Sequence, residues 1–156
     1  MNKLWIIIGR TLFWLSWPAS FAYLYFSRRT RIIVAVDDDV LVVRGWLSGG
    51  WWGLPGGGLH HGENPAEGAA RELREETGIH INGSDLQKLY SRRVKSELGL
   101  RYIAYAYALH FSKKPKLSKQ TLELTHLDWI NWRTLRDNPR TSQDIREFLD
   151  AWRAKR

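Results

Sequence analysis

Two β-branched runs, residues 31–36 and 40–45, flank Asp37, Asp38 and Asp39; apolar segments joined by a cluster of turn formers predict a β-hairpin. Two later runs, residues 86–95 and 100–111, are rich in Tyr, Ile, Val and Leu. In the second, Tyr102, Ala104, Ala106 and Ala108 alternate with Ile103, Tyr105, Tyr107 and Leu109, so each set takes one face of a strand. Residues 127–132 predict a last short strand. Helical spacing recurs twice. A helix starts near Pro65 and stops at Gly78, and a second, capped by Ser142, runs to about Ala154 with Ile145, Phe148, Leu149 and Trp152 on its core face. Between hairpin and first helix, residues 49–58 hold six glycines and Pro55, which predicts a loop shaped by its backbone. Residues 112–119, with four lysines and Pro115, predict a solvated loop. No internal repeat or linker divides these elements, so strands and helices form one mixed α/β domain over residues 29–156.

Residues 1–28 follow a different pattern. Residues 4–26 are apolar apart from Arg10, and contain Trp5, Trp14, Trp17 and Pro18. As a helix this hydrophobic N-terminal run would extend about 34 Å, enough for a hydrocarbon core of about 30 Å. Arg10 would sit inside that span and Pro18 would kink it. The basic excess of Arg28, Arg29 and Arg31 behind the run places its C-terminal side in the cytoplasm. Three readings stay open: a tether to the cytoplasmic face of a membrane, a helix packed on the domain or on a second copy in a homodimer, and a cleaved signal.

The chain has 156 residues and no cysteine, which excludes disulfides, thiolate metal sites and cysteine nucleophiles. Its formal net charge is +8, a balance that attracts phosphate-rich partners without choosing among them. No nucleic-acid-binding motif accompanies the charge, which argues against nucleic acid as the partner. Only residues 63–78 are acidic, with five carboxylates against two basic groups.

In that stretch Asn64 caps the helix, Pro65 suits its first turn and Glu67 is placed as the capping-box partner. At 100° per residue with Glu72 at zero, Glu75 falls at about 300° and Glu76 at about 40°, while Ala66, Ala70, Leu73 and Thr77 share another face. Three carboxylates on one face repel one another; a hard dication such as Mg²⁺, shared with substrate phosphates, offsets that repulsion. Glycines 56–58 let backbone approach a ligand closely. The histidines at 60, 61, 80, 110 and 126 lack a metal-binding spacing.

The arrangement Gly57, five residues, Glu63, seven residues, Arg71-Glu72-Leu73, one residue, Glu75-Glu76, one residue, Gly78-Ile79 resembles the signature of the Nudix hydrolase family at every fixed position. Chance would produce it in a chain this long at a frequency on the order of 10⁻⁸ to 10⁻⁷. The resemblance implies the Nudix fold, an α/β/α sandwich with a mixed β-sheet, behind the N-terminal hydrophobic helix. It implies Mg²⁺ or Mn²⁺ held by Glu72, Glu75, Glu76 and the Gly56 carbonyl, and a structural pair of Glu63 with Arg71. It further implies hydrolysis of a phosphoanhydride in a nucleoside diphosphate linked to another group. Glu72 is the favoured base among these carboxylates, with Glu123 and Glu97 as candidates from later segments. Arg44 and Trp46 are the candidate substrate contacts, a cation for phosphate and a ring for a base; Arg92, Arg93 and Tyr105 are weaker ones on the sheet. The alternative is a non-catalytic Nudix-like module that binds nucleotides and regulates a partner.

Overall fold

The computed structural model describes residues 27–45, 48–95, 101–118 and 124–156. The apolar run 4–26, Trp46, Glu97 and Glu123 lie outside them. Five strands form one sheet: β1 (Arg28–Val36), β2 (Asp39–Gly45), β3 (Gln87–Lys95), β4 (Arg101–His110) and β5 (Leu124–Asn131), in the spatial order β3-β4-β1-β2-β5. β1 and β4 are parallel and the other neighbours antiparallel, which makes the sheet mixed. The helices are α1 (Pro65–Thr77), α2 (Trp132–Asp137) and α3 (Gln143–Arg153).

Alternation along β1 builds both layers of core. Ile32 and Val34 join Leu41, Ala69, Leu73 and Tyr107 under α1, while Ile33 and Ala35 join Val42, Tyr102, Ala104, Ile145, Phe148 and Trp152 under α3. Helices therefore cover opposite faces, and the fold is the expected α/β sandwich. The faces of β4 follow the predicted alternation, with Tyr102, Ala104, Ala106 and Ala108 on the α3 side and Tyr107 and Leu109 on the α1 side. Burying a large apolar side chain contributes about 1.5–3 kcal/mol, so the fully buried Ile32, Ile33, Leu73 and Phe148 anchor both layers.

The helix ends differ in detail from the sequence reading. Asn64 Oδ1 accepts from the Ala66 N–H at 2.9 Å, and Gly78 ends α1 in the left-handed region at φ 74°. The Glu67 carboxylate, expected to complete a capping box, lies instead against Gly83. The Ser142 hydroxyl does not cap α3; it donates to Asp144. Trp132, read as the end of a strand, opens α2, whose cap is the Asn131 side chain accepting from the Arg133 N–H at 3.0 Å.

The sheet has one irregularity that positions the site. β1 and β2 pair directly only at Ala35–Val40 and Val36–Asp39. Beyond that they part, and the glycine-rich segment enters between them. Gly53 exchanges both backbone bonds with Val43 at 2.9 Å, and on the other flank the Ile32 N–H donates to the Pro55 carbonyl and the Thr30 N–H to the Gly57 carbonyl, each at 2.9 Å. Backbone donors that separated strands would leave unpaired are thus satisfied by the loop.

Candidate active site

Gly56 carries the sharpest bend of this wedge. Its φ is 131°, and a Cβ there would stand 2.4 Å from the Thr30 carbonyl oxygen, a position only glycine fills without strain. The Gly56 N–H donates to Glu76 Oε2 at 2.9 Å. At Gly57 a Cβ would stand about 2.5 Å from the Glu72 carboxylate carbon. The missing side chain is therefore the space in which Glu72 lies, and loop and helix meet through two carboxylates.

Arg71 organises the acidic face from behind. Its Nε donates to Glu63 Oε1 at 2.9 Å and its Nη2 to Glu63 Oε2 at 3.0 Å, a bidentate pair, and Nη2 also reaches the Gly58 carbonyl at 3.0 Å. Nη1 donates to Glu72 Oε1 at 2.9 Å and to Glu75 Oε2 at 3.1 Å. One guanidinium thereby offsets the repulsion among neighbouring carboxylates. The His60 N–H adds a 2.8 Å bond to Glu63. Hydrogen bonding from Arg71 above all holds the Glu63 carboxyl down at about 2, and pairing with Glu63 raises the Arg71 guanidinium above its usual range.

Among the described residues no three His, Asp or Glu side chains are gathered into a ready-made metal cage. The physical reason is visible in the contacts: Glu72 and Glu75 each direct an oxygen to Arg71, and Glu76 takes the Gly56 N–H. The Gly56 carbonyl, a candidate ligand, accepts from Arg31 Nη1 at 2.7 Å. The donor set nevertheless fits a hard dication. Its donors are all oxygens, and Glu72, only 16% exposed, lies against the Gly57 backbone, where any side chain would displace it.

On the other side of the wedge the sheet supplies cations. Arg44 stands on the α3 face of β2, its guanidinium 3.8 Å from the centroid of Trp52. Trp52, not singled out from the sequence, thus provides the aromatic partner of that arginine. Arg29 and Arg31 project from the same face of β1, and they too escaped the sequence reading. The signal was their alternation in register with Ile33 and Ala35. Burial alone would lower the Arg31 guanidinium, but Tyr102, Asp144 and Glu76 outweigh it and hold it above its ordinary value. Asp144 is itself buried, accepting from the Tyr102 hydroxyl at 2.7 Å and from the Ile145 N–H at 3.0 Å.

The weaker candidates separate from this group. Tyr105 packs at the α1 side and accepts from Arg28 Nη2 at 2.9 Å. Arg92 lies over Tyr90 and pairs with Glu147 on α3. A groove of about 480 Å³ lined by Glu67, Arg71, Arg74, His80 and Asn82 adjoins the site along α1; it shares Arg71 but includes none of Glu72, Glu75 or Glu76.

Comparison with known proteins agrees with this geometry. The sequence model of the NUDIX domain matches residues 26–152. The chain belongs to the Nudix family. It is 37% identical over 71 residues to an uncharacterized Nudix hydrolase, YvcI, of Bacillus subtilis, covering 46% of this chain and 44% of that protein. It is 32% identical over 101 residues to a MutT-like protein of Streptomyces ambofaciens, covering 64% and 59%. It is 35% identical over 103 residues to an RNA pyrophosphohydrolase of Psychrobacter cryohalolentis, covering 65% and 57%. The Nudix match thus spans about half the length of these relatives. Among solved structures, a MutT protein of Methanosarcina mazei Go1 superposes with a TM-score of 0.70 at 18% identity, covering 83% of this chain and 94% of that one. A MutT NUDIX hydrolase of Burkholderia pseudomallei does so with 0.66 at 21% identity, covering 81% and 97%. At such identities the likeness concerns the fold, and the fold is Nudix.

Proposed function

We propose that the chain is a divalent-metal-dependent pyrophosphohydrolase that cleaves a phosphoanhydride in a nucleoside diphosphate linked to another group. The observation carrying this reading is the convergence of Glu72 and Glu76 on the Gly56–Gly57 backbone, with Glu75 one turn away on the same arginine. Glu72, Glu75 and Glu76 would hold Mg²⁺ or Mn²⁺, with the second lone pair of the Gly56 carbonyl as a further donor. Such a cation neutralises phosphate oxygens and lowers the pKa of a bound water.

The chain's own residues supply the rest. Arg71 holds one oxygen each of Glu72 and Glu75, which limits how far these carboxylates turn when they take a cation. Glu72 is the proposed base that takes the proton of the attacking water. Arg44, stacked on Trp52, is the proposed phosphate contact of β2. Trp46 and Glu123, proposed for base stacking and for a second carboxylate, belong to segments outside the described residues. Among the described residues no helix is long and apolar enough to cross a membrane; tethering through residues 4–26 stays a proposal about a segment beyond them.

The test is hydrolysis of a panel of nucleotide sugars, dinucleoside polyphosphates, dinucleotide cofactors and triphosphates, with and without Mg²⁺. Glu76→Gln should lower Mg²⁺-dependent turnover by roughly a hundredfold or more while far-ultraviolet circular dichroism stays unchanged. Undiminished turnover in that variant removes the metal assignment. Nucleotide binding with no turnover of any panel member by the wild type would instead make the chain a regulatory binding module.

A further inference from the structure

Among the described residues, Arg29 is a shielded charge without a bonded partner. It lies two residues from Arg31 on one face of β1, and like charges so placed repel. Its Nε is shielded from solvent and has no hydrogen-bond partner, and its guanidinium forms no ion pair among the described residues. The Arg44 Nε is likewise shielded without a partner. Arg31 is better provided for: its Nη1 donates to the Gly56 and Thr30 carbonyls at 2.7 and 3.2 Å, and Tyr102 and Asp144 lie close enough to offset its charge. Burying an uncompensated charge is costly, and at Arg29, unlike Arg31, no bonded carboxylate or carbonyl among the described residues offsets that cost.

The residues paired with Arg29 and Arg31 on β4 are Ala104 and Ala106, which share the α3 face, are buried in its core and offer neither arginine a polar partner. Gly56 joins this floor to the acidic helix, because it accepts from Arg31 through its carbonyl and donates to Glu76 through its N–H. Glu72 and Glu76 are felt at Arg29 but form no bridge to it. When those carboxylates hold a cation, their charge no longer compensates the arginines. Cation-binding oxygens and guanidinium groups then stand on either side of the Gly56 backbone.

We propose that Arg29 and Arg31, with Arg44 across the glycine wedge, form an anion subsite for phosphate beyond the anhydride at Glu72, Glu75 and Glu76, so that a chain of three phosphates is selected over a diphosphate joined to an uncharged group. Its position relies on the hydrolase reading above. One dication largely neutralises a diphosphate capped by two organic groups, whereas a third phosphate brings charge that needs its own partners. Guanidinium groups bind phosphate oxygens bidentately, and Arg29 has donors to spare.

The experiment uses the full chain in two arms. In the first, inorganic tripolyphosphate is titrated calorimetrically into wild type, Arg29→Gln and Arg29→Lys, with and without Ca²⁺ to neutralise the acidic helix face, and with thermal unfolding as the check on folding. Arg29→Gln should bind about tenfold more weakly or worse, and Arg29→Lys should fall between the two. Equal affinity of wild type and the glutamine variant, including no measurable binding by either, overturns the proposal. If the glutamine variant fails to fold, the lysine variant decides by the same comparison.

In the second arm, with Mg²⁺, kcat/KM is compared for a nucleoside triphosphate, a 5′-triphosphorylated oligonucleotide and a nucleoside diphosphate sugar. The wild type should favour the triphosphates, the better of the two showing which molecule carries the chain, and Arg29→Gln should erase about tenfold or more of that preference. A preference unmoved by the substitution also overturns the subsite. Tripolyphosphate binding that depends on Arg29, with no hydrolysis of any substrate, would sink the hydrolase reading and leave the subsite standing.

Discussion

Glu63 shows how one side chain sets the geometry of a site it does not enter. Its carboxylate takes two bonds from Arg71 and one from the His60 backbone, and so fixes the guanidinium that in turn orients Glu72 and Glu75. The Arg71 bonds depress its pKa from 4.5 to about 2. Its stabilising contribution is therefore complete above pH 4.5 and disappears as the pH falls through about 2. Glu63→Gln should cost about 1–3 kcal/mol at neutral pH. The gap in thermal midpoint between variant and wild type should close as the pH is lowered from 4.5 to 2, and a gap independent of pH would refute this account of the pair. The pairing of Glu63 with Arg71 could be anticipated through the resemblance to the Nudix signature. The role of Arg29 and Arg31 could not, because an arginine beside a hydrophobic run reads as a solvated strand end. Only the fold, which puts both on the α3 face beside Ala104 and Ala106 and Arg31 against the Gly56 carbonyl, brings them next to the acidic helix.

At the scale of elements, the glycine loop and α1 form one unit with separable parts. Gly56 is required by the backbone: Gly56→Ala would force a Cβ against the Thr30 carbonyl at positive φ and should destabilise by about 2 kcal/mol or more. Gly57 is required by the chemistry, since Gly57→Ala would displace the Glu72 carboxylate. That variant should fold but lose roughly tenfold to a hundredfold in turnover. Chemical denaturation and steady-state kinetics on both variants check the contrast, and a Gly57→Ala enzyme with full activity would contradict it. Glycine content announced a backbone-shaping loop, yet not its seat between β1 and β2. Side-chain periodicity carries no record of which backbone groups pair. The same gap hid α2, whose apolar residues continue those of β5 so closely that only the Asn131 cap marks the change. At Ser142 the local signal placed the helix start correctly, but the hydroxyl makes no capping bond because it donates to the buried Asp144.

For the molecule as a whole, both layers of core arise from residues after position 31 among those described. A chain starting at Ser27 should therefore fold cooperatively and keep any hydrolytic activity of the full chain, as circular dichroism melting and the substrate panel would show. Aggregation or a non-cooperative melt would mean that the preceding residues complete the core. The α/β class was readable because alternation and helical spacing reflect burial directly, whereas strand order depends on long-range pairing that no local window contains. The parted strands also couple framework and function. Thr30 and Ile32 give their amide hydrogens to the very segment that seats two of the acidic residues, so slackening there would leave backbone donors of a central strand unsatisfied. The sheet itself thus stiffens the cradle, and whatever tightens the cradle clamps the sheet in return.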